Sequence, residues 1–491
     1  MRRLHTFAVL FVFFFAISLG FTGAQEVKGA PTTVAVAGST STLASATALP
    51  PDSTALHDPI KIEYGFDHRV RTEMFDNYLD MNGEGMDTRR HLRFRTRAWT
   101  NVTFGDNVTF SIRLANEFRK ITTAAPGTVT TFRQTAPDET FIDNLYVDVK
   151  KLFVPGLSLR IGRQDLMRGE GFLIAEGSPL EGSRSFYFNA VSLAYQYRNS
   201  TVEVLGILQP GRDRLLPKFN DRTARLSEAD ESMVGLYYTG KKIAGNDIET
   251  YFLHKKQYHD SRSPTSPIFL PDRHVETAGA RVSRTLAKDV TAAGEFAYQW
   301  GRQRANTVTG APEASISAFG GYGWVQKSFS GKRWQPYLRA GYYLTSGDDP
   351  GTRDKHEGWD PLFGRYPARA EITLYSLGRE RGIGYFSNWQ GLQIIAGAQP
   401  HRKLKTSATW IHMNASHPFT NGSASTFGTG THRGDMLEGK LEYTVNESTK
   451  GHVMYQSFSP GSYYAGKDRA YFLRAEIMYT FKGILGARSV R

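Results

Sequence analysis

Between Arg89 and Trp99 the chain reads Arg-Arg-His-Leu-Arg-Phe-Arg-Thr-Arg-Ala-Trp, and every second residue from Arg89 to Arg97 is basic. Guanidinium groups make forked, charge-assisted hydrogen bonds to carboxylate and phosphate. A ladder of Arg89, His91, Arg93, Arg95 and Arg97 therefore has the chemistry of a track for anions. Two further sets extend it: Arg113, Glu117 and Arg119 on the next segment, and Arg160, Arg163, Gln164 and then Arg168 beyond. Rings or ladders of arginine select anions in pores. The competing reading is neutralisation within the protein, with Glu117, Asp143, Asp148, Glu438, Glu442 and Glu476 as partners. The surplus of arginine on the segments 89–104 and 108–120 favours the track.

Such a ladder needs a strand, because alternate side chains on a strand point to opposite faces. Leu92, Phe94, Thr96 and Ala98 then form the other, largely apolar face. The same division recurs. Phe110, Ile112 and Leu114 alternate with Ser111, Arg113, Glu117 and Arg119. Leu437, Leu441, Tyr443 and Val445 alternate with Glu438, Lys440, Glu442 and Thr444. Leu473, Ile477, Tyr479 and Phe481 alternate with Arg474, Glu476, Thr480 and Lys482. In a membrane barrel the apolar face meets lipid and the charged face a wet lumen. A lipid-facing Arg or Lys at mid-bilayer would cost ~2–4 kcal/mol, so these charges must face inward.

Eighteen alternating segments can be read between residues 60 and 482, an even number, as bacterial barrels require. Links after even segments are short, as at Gly105-Asp106-Asn107 and Asn199-Ser200; links after odd segments are mostly long, as at 121–138, 167–184, 209–231, 346–387 and 415–432. Outer-membrane barrels show this asymmetry, with short periplasmic turns and long external loops. The fold expected is all-β: a transmembrane antiparallel barrel of about 18 strands over residues 59–483. Trp99, Phe104, Tyr298, Trp300, Trp324, Trp334, Tyr479 and Phe481 are expected in the interfacial girdles. A barrel of this size encloses more space than wall side chains fill, and loops 167–184 and 346–387 are candidates to fold inward and narrow it.

Composition agrees. The 491 residues include 24 Tyr, 31 Phe and 48 Gly, with a net charge of +13 and a mean hydropathy of −0.40. Cysteine is absent, which excludes disulfides, thiolate metal sites and cysteine catalysis. Residues 1–24 read as a signal peptide, with Arg2 and Arg3 before the apolar run Phe7–Leu19. Residues 25–58, rich in Ala, Thr, Ser and Pro, read as a disordered linker, and 484–491 as a C-terminal tail. No segment approaches the length of a transmembrane helix.

The run Gly162-Arg163-Gln164, the loop Gly169-Glu170-Gly171 and the returning Phe188-Asn189-Ala190-Val191 resemble the alginate export family of outer-membrane barrels. Asn189 stands where that family usually has Asp, and Ser192 where it has a basic residue. The resemblance implies an eighteen-stranded porin-like barrel and a transport role, with an alginate-like acidic polysaccharide as the favoured solute.

Loop 346–387 carries Asp348, Asp349, Asp354, Glu357 and Asp360, a set able to bind Ca²⁺, but Arg and Lys among them favour an ordinary solvated surface. The histidines show no zinc-motif spacing. His254, His259, Asp260 and Ser261 near a rim have no spacing that requires nucleophilic catalysis. Nucleic acid is discounted, because the basic residues alternate with apolar ones and do not form a patch. The expectation is therefore a non-enzymatic, cofactor-free porin or exporter, without catalytic or metal residues. Its partners are an anionic polysaccharide or small anions, and outer-membrane lipid. Alternatives are a general anion or phosphate porin, and a barrel sheathing a periplasmic partner such as an electron carrier.

Overall fold

The computed structural model describes residues 60–485, apart from 79–80, 84–87, 125–139, 177–186, 218, 220–228, 259–271, 306–311, 365–386 and 420–426. The signal peptide read at 1–24 and the linker at 25–58 lie outside the described residues, as does the tail beyond 485.

The strands are β1 (Lys61–Asp76), β2 (Arg89–Phe104), β3 (Val108–Ala124), β4 (Thr140–Lys150), β5 (Leu157–Gln164), β6 (Leu166–Met167), β7 (Ile174–Glu176), β8 (Phe188–Tyr197), β9 (Ser200–Gln209), β10 (Asp230–Ile243) and β11 (Asn246–Tyr258). There follow β12 (Arg273–Ala287), β13 (Val290–Gln303), β14 (Ala314–Ser328), β15 (Tyr337–Thr345), β16 (Lys355–His356), β17 (Phe363–Gly364), β18 (Trp389–His401), β19 (Leu404–Asn414), β20 (His432–Thr444), β21 (Thr449–Pro460) and β22 (Ala470–Leu485). Four are short pieces: β6, β7, β16 and β17. The other eighteen pair antiparallel with their neighbours in chain order, and β1 pairs with both β2 and β22. The sheet thus closes into an eighteen-stranded barrel, with no edge left open. No helix occurs among the described residues. The last strand runs to Leu485, two residues past the expected limit of 483.

Alternation decides which side each residue takes. On β1, Asp67, Arg69, Arg71 and Glu73 are buried inward, while Phe66, His68 and Val70 face out. The outer surface carries Leu236, Phe252, Phe296, Leu437 and Ile477, each 46–60% exposed. A continuous apolar band of this kind fits lipid, not water. Tyr298, Trp300, Tyr479 and Phe481 are exposed on it, and Phe104 and Trp334 at the end with short turns. Trp99 and Trp324 depart from the girdle expectation. Trp99 shares the inner face with Arg97, and Gly65 opposite it has no room for a Cβ, which would come within 2.5 Å of the indole. Trp324 follows Ile316, Ala318 and Tyr322 on the inner face and donates to Glu170.

Two of the long loops enter the barrel. Residues 165–176 and 346–364 meet in a small sheet in which β7 lies between β6 and β17. Leu166, Leu173, Ile174, Trp359, Leu362 and Phe363 are buried against inward residues of β8 to β14, including Phe188, Leu205, Tyr237, Leu253 and Ala318. The described parts of the two loops singled out from sequence therefore do fold inward, against the inner wall formed by β8 to β14.

Candidate functional site

A separate sector of the wall, from β22 through β1, β2 and β3 to the start of β4, carries a dense set of charges. Nine guanidiniums lie there, from Arg69, Arg71, Arg89, Arg93, Arg95, Arg97, Arg113, Arg119 and Arg474, together with six carboxylates, from Asp67, Glu73, Glu117, Asp143, Asp165 and Glu476. With Glu63, Lys61 and Lys482, which share that face at the end with short turns, the balance among the described residues of the sector is four positive charges.

The register explains how the groups meet. Glu73 faces His91 across β1–β2 and Arg474 across β1–β22. It accepts from Arg93 Nη1 at 2.9 Å and Arg474 Nε at 2.9 Å, lies 2.8 Å from His91 Nε2, and lies 3.4 Å from Arg71 Nη1. Arg71 Nε donates to Glu476 at 2.7 Å. Asp67 accepts Arg97 Nη2 at 2.8 Å and Nε at 3.0 Å, and Arg95 Nη2 stands 3.6 Å from it. Glu117 sits opposite Arg95, and Arg119 opposite Arg93. Arg113 bonds Asp143, Asn144 and both oxygens of Asp165. Arg89 lies over the rings of Phe75 and Tyr78, 4.6 and 5.1 Å from their centroids.

Inward-facing arginines and internal neutralisation thus coexist. Arg89, His91, Arg93, Arg95, Arg97, Arg113, Glu117 and Arg119 share one sector. Arg160 stands further along on β5, paired with Asp148 at 2.7 Å and stacked on Tyr146. Arg163 is a correction. Three residues from Arg160, it takes the opposite face of the strand, and its side chain is wholly buried. It bonds Asp213 at 2.8 Å and the carbonyl of Ile142, under the ring of Tyr187. It fastens loops instead of lining the bore. Gln164 is also fully buried and donates to the Ala190 carbonyl, bracing β5 against β8. Of the carboxylates expected as partners, Asp143, Asp148 and Glu476 take that role. Glu438 accepts from Gln456, and Glu442 lies near Lys440.

Sequence reasoning missed Asp67, Arg69, Arg71, Glu73 and Arg474 as members of this sector. The signal was present, because Asp67, Arg69, Arg71 and Glu73 occupy alternate positions of one segment.

Opposite this sector, Arg168 donates to Glu203 at 2.8 Å, and Glu170 accepts from Arg281 at 3.1 Å and from Trp324 at 3.2 Å. Gly169 and Gly171 both have positive φ, and the turn they make lays residues 168–172 across the lumen side of β9, β12 and β14. Phe172 stacks on Trp359 at 5.3 Å and meets Tyr322 edge-on. Loop 346–364 is pinned by Asp360, which lies 3.2 Å from Lys255 Nζ and accepts from Arg273 Nη2 at 2.9 Å. Burial opposes ionisation of Asp360, but Lys255 and Arg273 outweigh it and hold its carboxyl below the usual carboxylate range.

A closed eighteen-stranded barrel with a lipid-fitting exterior, a charged inner wall and loops folded into the bore defines an outer-membrane transport channel. The model of the family described as Alginate export matches residues 60–475; the chain belongs to that family. Its place is the bacterial outer membrane, and it is a channel, not an enzyme. Solved structures give the same fold at low identity. OccK2 (OpdF) of Pseudomonas aeruginosa is 11% identical, with a TM-score of 0.52 over 86% of this chain and 98% of that one. The outer membrane protein OpdK of the same organism is 10% identical, with a TM-score of 0.53 over 86% and 99%. OccK2 (OpdF) has also been solved in complex with glucuronate, at 11% identity and a TM-score of 0.52 over 86% and 98%. No curated protein matches the sequence.

Proposed function

We propose that the barrel passes an anionic solute, an acidic poly- or oligosaccharide of the alginate type, along the sector formed by β22, β1, β2 and β3. The observation that carries this reading is the surplus of guanidinium over carboxylate on that inner wall. Partial neutralisation suits transport. A fully unpaired ladder would hold a polyanion too tightly, while weak contacts in series allow both entry and exit. Arg93, Arg95, Arg97, Arg113 and Arg119 are the residues assigned to the path, with Arg160 further along. The family membership supports the solute class. The glucuronate complex of OccK2 (OpdF) is in keeping with it.

A second reading, passage of small carboxylates or phosphate, is favoured by the two loops that fold into the bore over β8 to β14. The test is planar-bilayer recording. In a salt gradient the protein is expected to prefer anions, and Arg95→Gln with Arg119→Gln to reduce that preference. Unchanged selectivity would remove these residues from the mechanism. Polyuronate that blocks the current more strongly than glucuronate or phosphate supports the polysaccharide; the reverse order supports the small-anion channel.

A further inference from the structure

On the outside of the barrel, near the end that bears the long loops, His412 of β19 and His432 and Asp435 of β20 bring one ligand atom each to within 4.8 Å of one another. We propose that these three side chains form a binding site for a divalent transition-metal ion of the zinc class, at the rim of the membrane-facing wall.

The backbone is arranged to assemble them. His412 and Asp435 are direct partners in the β19–β20 ladder, and their neighbours in the ladder, Leu392 and Leu437, are exposed on the outer face. His432 is three residues from Asp435, a spacing that puts two side chains on opposite faces of a regular strand. Here both face out, because the register shifts between Met413 and Asn414 and Gly434 adopts φ +131°. A Cβ at Gly434 would lie 2.3 Å from the Ser459 carbonyl, so the irregularity depends on glycine. Bulges of this kind re-aim side chains.

The geometry also suits a metal. His412 Nδ1 lies 2.9 Å from Asp435 Oδ1, and His432 Nε2 lies 3.5 Å from Oδ2 of the same carboxylate. The two imidazoles are stacked with centroids 4.9 Å apart. His432 Nε2 is shielded from solvent and makes no hydrogen bond among the described residues; in the tautomer protonated at Nδ1 it has a lone pair to give to a cation. Two imidazoles and one carboxylate are a zinc-type donor set of nitrogen and oxygen, and three protein ligands leave a fourth position open. Bound metal would staple β19 to β20 where the apolar band, marked by Trp410 and Leu437, gives way to polar residues.

The site is distinct from the lumen: its ligands face away from the bore, and nothing in the transport reading uses them. It is tested by titrating Zn²⁺ into the tag-free, chelator-stripped full-length protein in detergent by isothermal calorimetry. One ion per chain is expected, with that binding lost in His412→Ala/His432→Ala and weakened in Asp435→Asn. His254→Ala, which removes a separate histidine–carboxylate pair on the outer face (His254 Nδ1 to Glu276 Oε1, 3.0 Å), should leave the binding unchanged. Folding of each variant is read from the heat-modified mobility typical of closed barrels on gels. A wild-type protein that takes up no Zn²⁺, or a folded double-histidine variant that binds it as wild type does, means the cluster is only a surface ion pair.

Discussion

Glu73 shows how much one side chain can organise. It is fully buried and touches Arg71, His91, Arg93 and Arg474. Removing one partner of a buried charge network leaves the others uncompensated, at a cost of about 3–5 kcal/mol. Glu73→Gln should lower the urea midpoint of the purified barrel accordingly. Glu63→Gln, which breaks a half-exposed pair with Lys61, should change the unfolding free energy by no more than about 1 kcal/mol. Asp360 gives a pH dependence. Its folded carboxyl titrates below the ordinary value because of Lys255 and Arg273. It therefore stabilises the folded loop fully above the unfolded pKa of about 4, and that contribution disappears as the pH falls through the lower, folded value. Acidification should make loop 346–364 accessible to an acid-active protease, and in Asp360→Asn the loop should already be accessible at neutral pH. The arginine ladder was legible because alternation is local. The pairing was less so: Glu476 could be read as a carboxylate partner, but Arg71, which it holds, lies 405 positions away and meets it only when the barrel closes.

At the scale of elements, segment count and loop parity could be read directly, because each strand announces itself by a two-residue period and each turn by its length. Burial direction was harder for aromatics. Trp99 and Trp324 look like girdle residues by type, yet their parity places them inside. That two long loops would enter the bore was readable only as a candidate from their length; what holds them there, Arg168–Glu203, Glu170–Arg281 and Asp360–Lys255, links loop to distant strand. Trp359, 1% exposed, fills space over Gly320, where a Cβ would come within 2.9 Å of its ring. Trp359→Ala should therefore release the inserted loops and raise single-channel conductance. Gly320→Ala, which pushes on the same ring from below, should move conductance in the same direction. Unaltered conductance in both would mean that the loops do not set the width of the conducting path.

For the molecule as a whole, the lipid-facing band and the charged interior are two faces of one alternating sheet. Phe296, 55% exposed on the outer face and halfway along β13, should tolerate arginine badly, at a cost of ~2–4 kcal/mol, read as a lowered unfolding midpoint in liposomes. The pairing of Lys61–Asp76 with Ala470–Leu485 has a consequence for biogenesis. Of the described strands, β1 pairs on one side with the next segment, β2, but on its other side it waits for the last, β22. Until the C-terminus arrives, every hairpin laid down lengthens a ribbon with two sticky margins. A nascent or truncated chain therefore has to be escorted across the periplasm, and only a finished one can seal itself and be let go.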